Sequence, residues 1–407
     1  MSQVELDPVH FPMPRVQGCP FHPPQELRDI QSAGRPVRVQ IWNGTKPWLI
    51  TGHDRQRSLL TDERLSSDPT HPQFPFQSVG IEARRARTTT FIQMDNPEHN
   101  HYRRMLTGQF TAKRMEAMRE SIQEITDRLL DELQELEGPV DLVEHFALPL
   151  PSLVICQMLG VPYESHELFQ EASATLLSQS ADRDQVDEAT VVLRELARDL
   201  IAVKRGRDDD DIISHLVRDH LEQGELTEDQ VVDMSLLLLV AGHETTANQI
   251  ALGTLALLEN PEQRDYLQTL TDRSDIARAV DEMMRFLSIA HVGRRRVALE
   301  DIQVDHDVVI RKGEGVIFPD AAGNWDPDVY ERPDTLDLAR EGAGRHMAFG
   351  FGTHQCLGQP LARVELQIAY TSLFARLPTL RLHGRASDLK FREDMNIYGV
   401  YALPVTW

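Results

Sequence analysis

The chain has 407 residues, 41% of them hydrophobic and 26% charged, a balance typical of a folded protein that can bury a large core. Its 42 basic and 64 acidic residues leave a net charge of −22, which argues against a phosphate-backbone partner while leaving room for a local basic patch. The three cysteines, Cys19, Cys156 and Cys356, are too few and too far apart for a disulfide framework or a zinc cluster, so a reducing compartment fits best.

The opening, MSQVELDPVHFPMPRVQGCPFHPP, has neither the basic nor the apolar stretch of a signal peptide. It reads as an extended, proline-rich arm through Pro24 on a cytoplasmic protein. Between Val37 and Thr51 two β-like runs flank Asn43-Gly44, which predicts an early hairpin. Helical spacing then dominates, as in Met118, Ile122, Ile125, Leu129, Leu133 and Leu136, stopped by Gly138-Pro139. The acidic run Asp208 to Asp211 reads as a solvated loop, and Cys156, in Val154-Ile155-Cys156, as helix core.

A longer helix opens at Thr227-Glu228-Asp229-Gln230, which fits a capping box, and closes at Asn260-Pro261. Its roughly 32 residues would span about 48 Å. Because it is apolar nearly all round from Met234 to Leu258, it must cross the interior, and the polar residues in its middle need a reason. Its densest apolar stretch, Ser235 to Gly242, is far short of the roughly 20 residues that cross a bilayer, so no membrane span is expected.

Arg294 to Phe318 is β-like and is followed by a loop-rich stretch. A last helix from about Gly358 to Leu377 and a short β-like tail, Asp394 to Trp407, complete the chain. Length alone suggests two or three domains, but no linker, repeat or composition break divides the sequence. One large domain over residues 1–407 is therefore expected, mainly α with small β-sheets.

The segment Phe349 to Arg363, FGFGTHQCLGQPLAR, puts Cys356 beside the N-terminus of the last helix. Free backbone N–H groups and the helix dipole there favour a thiolate. Glycines at 350, 352 and 358 allow positive φ or close approach by another group. A lone cysteine in such a turn reads more simply as core. The whole pattern, Phe-Gly-x-Gly-x-His-x-Cys-x-Gly followed by Leu-Ala-Arg and Glu365, resembles the haem-binding signature of the cytochrome P450 family.

That resemblance implies the fold of the family and a haem b group whose iron is ligated by Cys356, the thiolate pushing electron density towards the metal. It also implies that Phe349 and Gly350 pack beside the sulfur and that His354 reaches a haem propionate. Three further segments match in order. Ala241-Gly242-His243-Glu244-Thr245-Thr246 lies in the middle of the long helix. Read alone, Thr245 could back-bond to a carbonyl and Glu244 could be an acid paired elsewhere. The resemblance instead assigns Glu244 and Thr245 a proton relay on the distal side, with Gly242 leaving room for haem and oxygen. Glu282 and Arg285, three apart on one helical face, become a buried scaffold pair completed from the loop before the cysteine. His99 and Arg103 in DNPEHNHYRR, and Arg296 in Arg-Val-Ala, match propionate-binding positions.

One loop departs from the pattern: relatives commonly carry Ala-Asn-Arg-Asp where this chain has Ala322-Gly323-Asn324-Trp325-Asp326. Altered loop packing is expected, not lost haem binding. The implied activity is a monooxygenase that hydroxylates or epoxidises a hydrophobic molecule such as a polyketide, macrolide, steroid-like compound or xenobiotic. The implied pocket draws on Asp68 to Phe91, Phe169 to Val192, Leu287 to Val292 and the tail near Ile397.

No flavin or reductase domain fits in 407 residues. A monomer fed by a small ferredoxin and its reductase, and so indirectly by NAD(P)H, is therefore expected. The ferredoxin would dock under Cys356, near Arg104, Arg345 and Arg363. Nitric oxide reduction, peroxide use and gas sensing stay open as alternatives. The Ala-Gly-His-Glu-Thr-Thr run argues against the first two, and the lack of a signalling module against the third.

Overall fold

The longest helix forms where the apolar pattern places it. Gln230 N–H donates to Thr227 Oγ1, the Thr227 N–H donates to the Gln230 side chain at 2.8 Å, and the capping box starts a 32-residue helix that ends before Pro261. The computed structural model describes residues 9–15, 20–85, 90–162 and 166–407. Cys19 and half of the amino-terminal arm lie outside them.

In chain order, the helices that position the site are α1 (His53–Leu60), α2 (Glu98–Thr107), α3 (Arg119–Gln134), α4 (Pro149–Leu159), α5 (His166–Leu177), α6 (Arg183–Lys204), α7 (Glu228–Glu259), α8 (Arg273–Leu287) and α9 (Gln359–Arg376). Helix α7 packs on α4, α6, α8 and α9. One apolar cluster, from Phe21 to Val405, takes residues from α2 through α9, so the core is continuous and no domain boundary interrupts it. The heptad-like face read for α3 holds through Leu133, whereas Leu136 lies beyond the helix and is 40% exposed.

The strands are β1 (Val37–Arg38), β2 (Trp48–Leu49), β3 (Leu65–Ser66), β4 (Val140–Asp141), β5 (Arg294–Ala298), β6 (Ile302–Asp305), β7 (Val308–Ile310), β8 (Gly315–Phe318), β9 (Arg381–Leu382) and β10 (Pro404–Thr406). They make a five-stranded sheet, β1-β2-β8-β5-β3, a three-stranded sheet, β4-β10-β9, and the pair β6-β7. The Asn43-Gly44 hairpin forms, with Gly44 at φ +81°. Pairing of Arg294 with Phe318 and of Arg296 with Val316 puts both arginines on one face of β5.

Two expectations change. The described part of the arm is docked: Phe11 N–H donates to Gln40 O at 2.9 Å, and Phe11 and Met13 are buried against Leu27 and Val39. The acidic run is not simply solvated. Lys204 reaches Asp209 at 3.1 Å and buried Asp211 at 2.5 Å, Asp211 caps the following helix, and Asp208 and Asp210 pair with Arg218 and Arg114. Among the described residues, no helix is long and apolar enough to cross a membrane.

Candidate active site

The turn before α9 is shaped by its glycines. Gly350 and Gly352 have φ of +71° and +75°, and a Cβ on Gly350 would lie 2.7 Å from Arg294 Cζ. Gly358 has an ordinary φ of −79°, and no protein atom lies within 4 Å of its missing Cβ. Cys356 N–H donates to Phe349 O at 2.8 Å, folding the loop back under the sulfur. Phe349 is buried, with the Arg363 guanidinium 4.7 Å from its ring centre.

The Cys356 side chain is exposed at its face yet ringed by protein atoms, and that ring pushes its thiol up by desolvation. The Gly358 and Gln359 amides and the charges of Arg294 and Arg103 pull the other way. The helix start thus acts in the direction read from the sequence, but burial outweighs it. A metal ion on the sulfur would supply the missing stabilisation.

Beside the cysteine loop the fold gathers His99 and Arg103 from α2, Arg296 from β5, and His354. The two imidazoles lie 4.2 Å apart, ring centre to ring centre. Arg103 donates to Gln355 O at 2.7 Å, Arg296 to Arg295 O at 2.7 Å, and His354 Nε2 meets Ser67 Oγ at 2.9 Å. Among the described residues none of the four pairs with a carboxylate, and both ring nitrogens of His99 and Nδ1 of His354 are buried without a partner.

The electrostatics register the imbalance. Burial, then Arg296, His99 and Arg103, push His354 down to about 2, while burial and Arg294 bring Arg296 to about 10. Burial and Arg103 also lower His99. A positive, partly unsatisfied pocket is costly unless it receives anionic oxygens. A flat metal chelate with two carboxylates fits this donor set: the carboxylates would meet His99, Arg103, Arg296 and His354, and the metal would meet Cys356.

On α7, Ala241 is exposed and Thr245 half-buried, while Glu244 is buried. Thr245 Oγ1 donates to Ala241 O at 2.8 Å. Glu244 Oε2 accepts from Arg392 Nη1 at 3.1 Å and from Asn248 Nδ2 at 3.2 Å. The local bonds foreseen for an isolated Glu-Thr pair are therefore present. Gly242 departs from expectation: its missing Cβ would lie 2.8 Å from Ile155 Cγ1, so close packing of α4 is what requires glycine there.

Comparison with known proteins agrees with this geometry. The family model for Cytochrome P450 matches residues 39–393. The chain belongs to the cytochrome P450 family. It is 46% identical to Cytochrome P450 GfsF of Streptomyces halstedii, over 98% of this chain and 97% of that protein. The GfsF crystal structure superposes with a TM-score of 0.92, covering 98% of this chain and 100% of that one. The chain is 45% identical to pentalenic acid synthase of Streptomyces avermitilis, over 98% of each. It is also similar to the mycinamicin VIII hydroxylase MycCI of Micromonospora griseorubida bound to mycinamicin VIII, at 37% identity and TM-score 0.91, covering 98% and 100% of the two chains.

The scaffold of this cytochrome P450 closes on itself. Glu282 accepts from Arg285 Nε and Nη2 at 2.7 and 2.9 Å and from Arg340 Nε at 3.0 Å, with Glu282 and Arg285 fully buried. Arg340, which sequence reading left unnamed, is the partner from the loop before the cysteine. The departing loop is tied to the same scaffold. Asn324 O accepts from Arg285 at 2.9 Å, Trp325 Nε1 donates to Phe286 O at 3.0 Å, and the Trp325 ring stacks on Phe286. Trp325 is buried there, and a Cβ at Gly323 would press on Met347 at 3.1 Å.

The expected pocket segments meet in this cytochrome P450, although residues 86–89 of the first lie outside the described residues. Arg295 bridges two of them, donating to Pro75 O at 2.5 Å and to Val292 O at 2.9 Å, while Gln179 N–H donates to Asp394 O at 2.8 Å, Asn396 N–H to Leu177 O at 2.9 Å, and Tyr398 N–H to Ile289 O at 2.8 Å. On the cysteine side, Arg104 and Arg345 are exposed. Arg363 is not an open surface charge, because its Nε donates to Asp281 at 2.9 Å and its Nη1 to Gln359 at 2.9 Å.

Arg57 and Arg294, like Arg340, escaped sequence reading, which named Glu365 only as part of the cysteine signature. Arg57 lies 4.0 Å over the Phe351 ring, Glu365 is a fully buried carboxyl raised well above the usual range by burial, and Arg294 reaches the cysteine loop.

Proposed function

We propose that this cytochrome P450 oxidises a hydrophobic secondary metabolite of macrolide, polyketide or terpenoid size, and that Cys356 would ligate the haem iron while His99, Arg103, Arg296 and His354 would hold the propionates. The observation that carries this reading is the set of buried, partnerless imidazole nitrogens beside two arginines that lack carboxylate partners, next to the thiol. Haem bound there supplies the reductive activation of dioxygen, one atom entering the substrate and the other leaving as water. Two relatives of this chain are named for such compounds, one as a pentalenic acid synthase and one as a hydroxylase bound to mycinamicin VIII, and Phe74, Phe76 and Ile81 make part of the first pocket segment here apolar.

Thr245 and Glu244 serve as the proton path in this reading. For Thr245 Oγ1 to donate towards the haem side it must leave Ala241 O, and for Glu244 to pass a proton its carboxylate must exchange Arg392 for water. Electrons come from a ferredoxin and its flavin reductase, with NAD(P)H as the source. The ferredoxin would meet the face carrying Arg57, Arg104 and Arg345, whereas Arg363 is occupied by Asp281.

The test is product formed per electron consumed, with macrolactone and terpenoid substrates and a ferredoxin system. Thr245→Ala should keep haem and substrate binding while sending most electrons to peroxide or water. Wild-type coupling in that variant would remove Thr245 from the path.

A further inference from the structure

Arg294 is treated differently from the cations around it. Its Nη2 donates to Asp320 Oδ2 at 2.9 Å, whereas His99, Arg103, Arg296 and His354 meet no carboxylate among the described residues. The sheet explains the pairing: Arg294 sits opposite Phe318 across β5 and β8, and Asp320 follows Phe318 by two residues. Asp320 is 1% exposed, and its Oδ1 has no hydrogen-bond partner.

The guanidinium rests on the cysteine loop. Nη2 also donates to Ala348 O at 3.2 Å, and Cζ fills the space where Gly350 would carry a Cβ. The neighbouring Phe349 carbonyl is the acceptor for Cys356 N–H.

A buried ion pair is costly to desolvate, and burial pushes the Asp320 carboxyl up to about 6 even though Arg294 pulls it down. A neutral side chain could cap Ala348 O without that cost. The pair therefore invites a reason beyond the fold.

We propose that Arg294 and Asp320 are a built-in charge pair that sets the reduction potential of the metal at Cys356, Arg294 favouring the reduced state and Asp320 moderating it. The proposal rests on Cys356 as the ligand. One electron arriving at the site adds negative charge. A fixed cation on the loop favours that step, a fixed anion behind it opposes it, and the weakly polar interior lets both be felt. Neither side chain touches the reacting atoms, so both are positioning residues.

The experiment is a redox titration of purified, haem-loaded protein at one pH and ionic strength. Asp320→Asn leaves the cation unbalanced and should raise the midpoint potential. Arg294→Gln should lower it, even if the stranded carboxyl takes up a proton, because the nearer cation is gone. A pair that only braces the loop would shift both variants the same way, or neither, and either result overturns the proposal. If Asp320→Asn does not load haem, Arg294→Gln alone decides: a fall supports the pair, while no change or a rise refutes it. A wrong ligand assignment would appear separately, as a wild-type carbon monoxide complex lacking the thiolate Soret band.

Discussion

Two clusters of buried charge in this molecule follow opposite rules. Around Glu282, Arg285 and Arg340 every charge meets its complement within 3.0 Å, and the remaining guanidinium groups donate to the carbonyls of Asn324, Glu331, Arg332, Pro333 and Thr335. Around His99, Arg103, Arg296 and His354 none of the four pairs with a carboxylate among the described residues, although Asp95 is close enough to act on His99 and Arg296, and three imidazole nitrogens have no partner. A set of charges closed on itself is scaffold. A set left open is a binding site awaiting an anion.

The largest expected effect comes from breaking the closed set. Glu282→Gln strands two buried arginines, which should cost about 3–5 kcal/mol and prevent haem loading. Chemical denaturation measures it, and a wild-type midpoint would deny the triad its structural role.

The open set should respond with the opposite sign. Arg296→Met removes a buried cation that lacks a carboxylate, so the haem-free protein should be no less stable, while haem binding loses about 1.5–3 kcal/mol, roughly ten- to a hundred-fold in affinity. Haem transfer kinetics and thermal melts separate the two. A haem-free variant that melts well below wild type would place Arg296 with the scaffold instead.

The smallest effect tests the departing loop. Trp325→Phe keeps the stack on Phe286 and removes one buried hydrogen bond, so it should cost about 1 kcal/mol and leave haem affinity unchanged. Altered haem affinity would mean that this loop belongs to the site.

Much of this was legible in the sequence because it is local. The capping box of α7, the stop at Pro261, the Asn43-Gly44 turn and the positive-φ glycines of the cysteine loop each depend on residues a few positions apart. What escaped depends on partners brought together by the fold. Arg392 holds Glu244 from 148 positions away, Asp281 neutralises Arg363 from 82 away, and Ile155 is what requires glycine at 242. The family pattern named the right segments, but the neighbours of each side chain come only from packing.

The most direct test of the account is the absorption spectrum of the purified protein, reduced and exposed to carbon monoxide, for wild type and Cys356→Ser. The account predicts a thiolate-type Soret band in the wild type and its loss in the variant. A folded, haem-loaded wild type without that band, or a variant that retains it, would contradict ligation by Cys356.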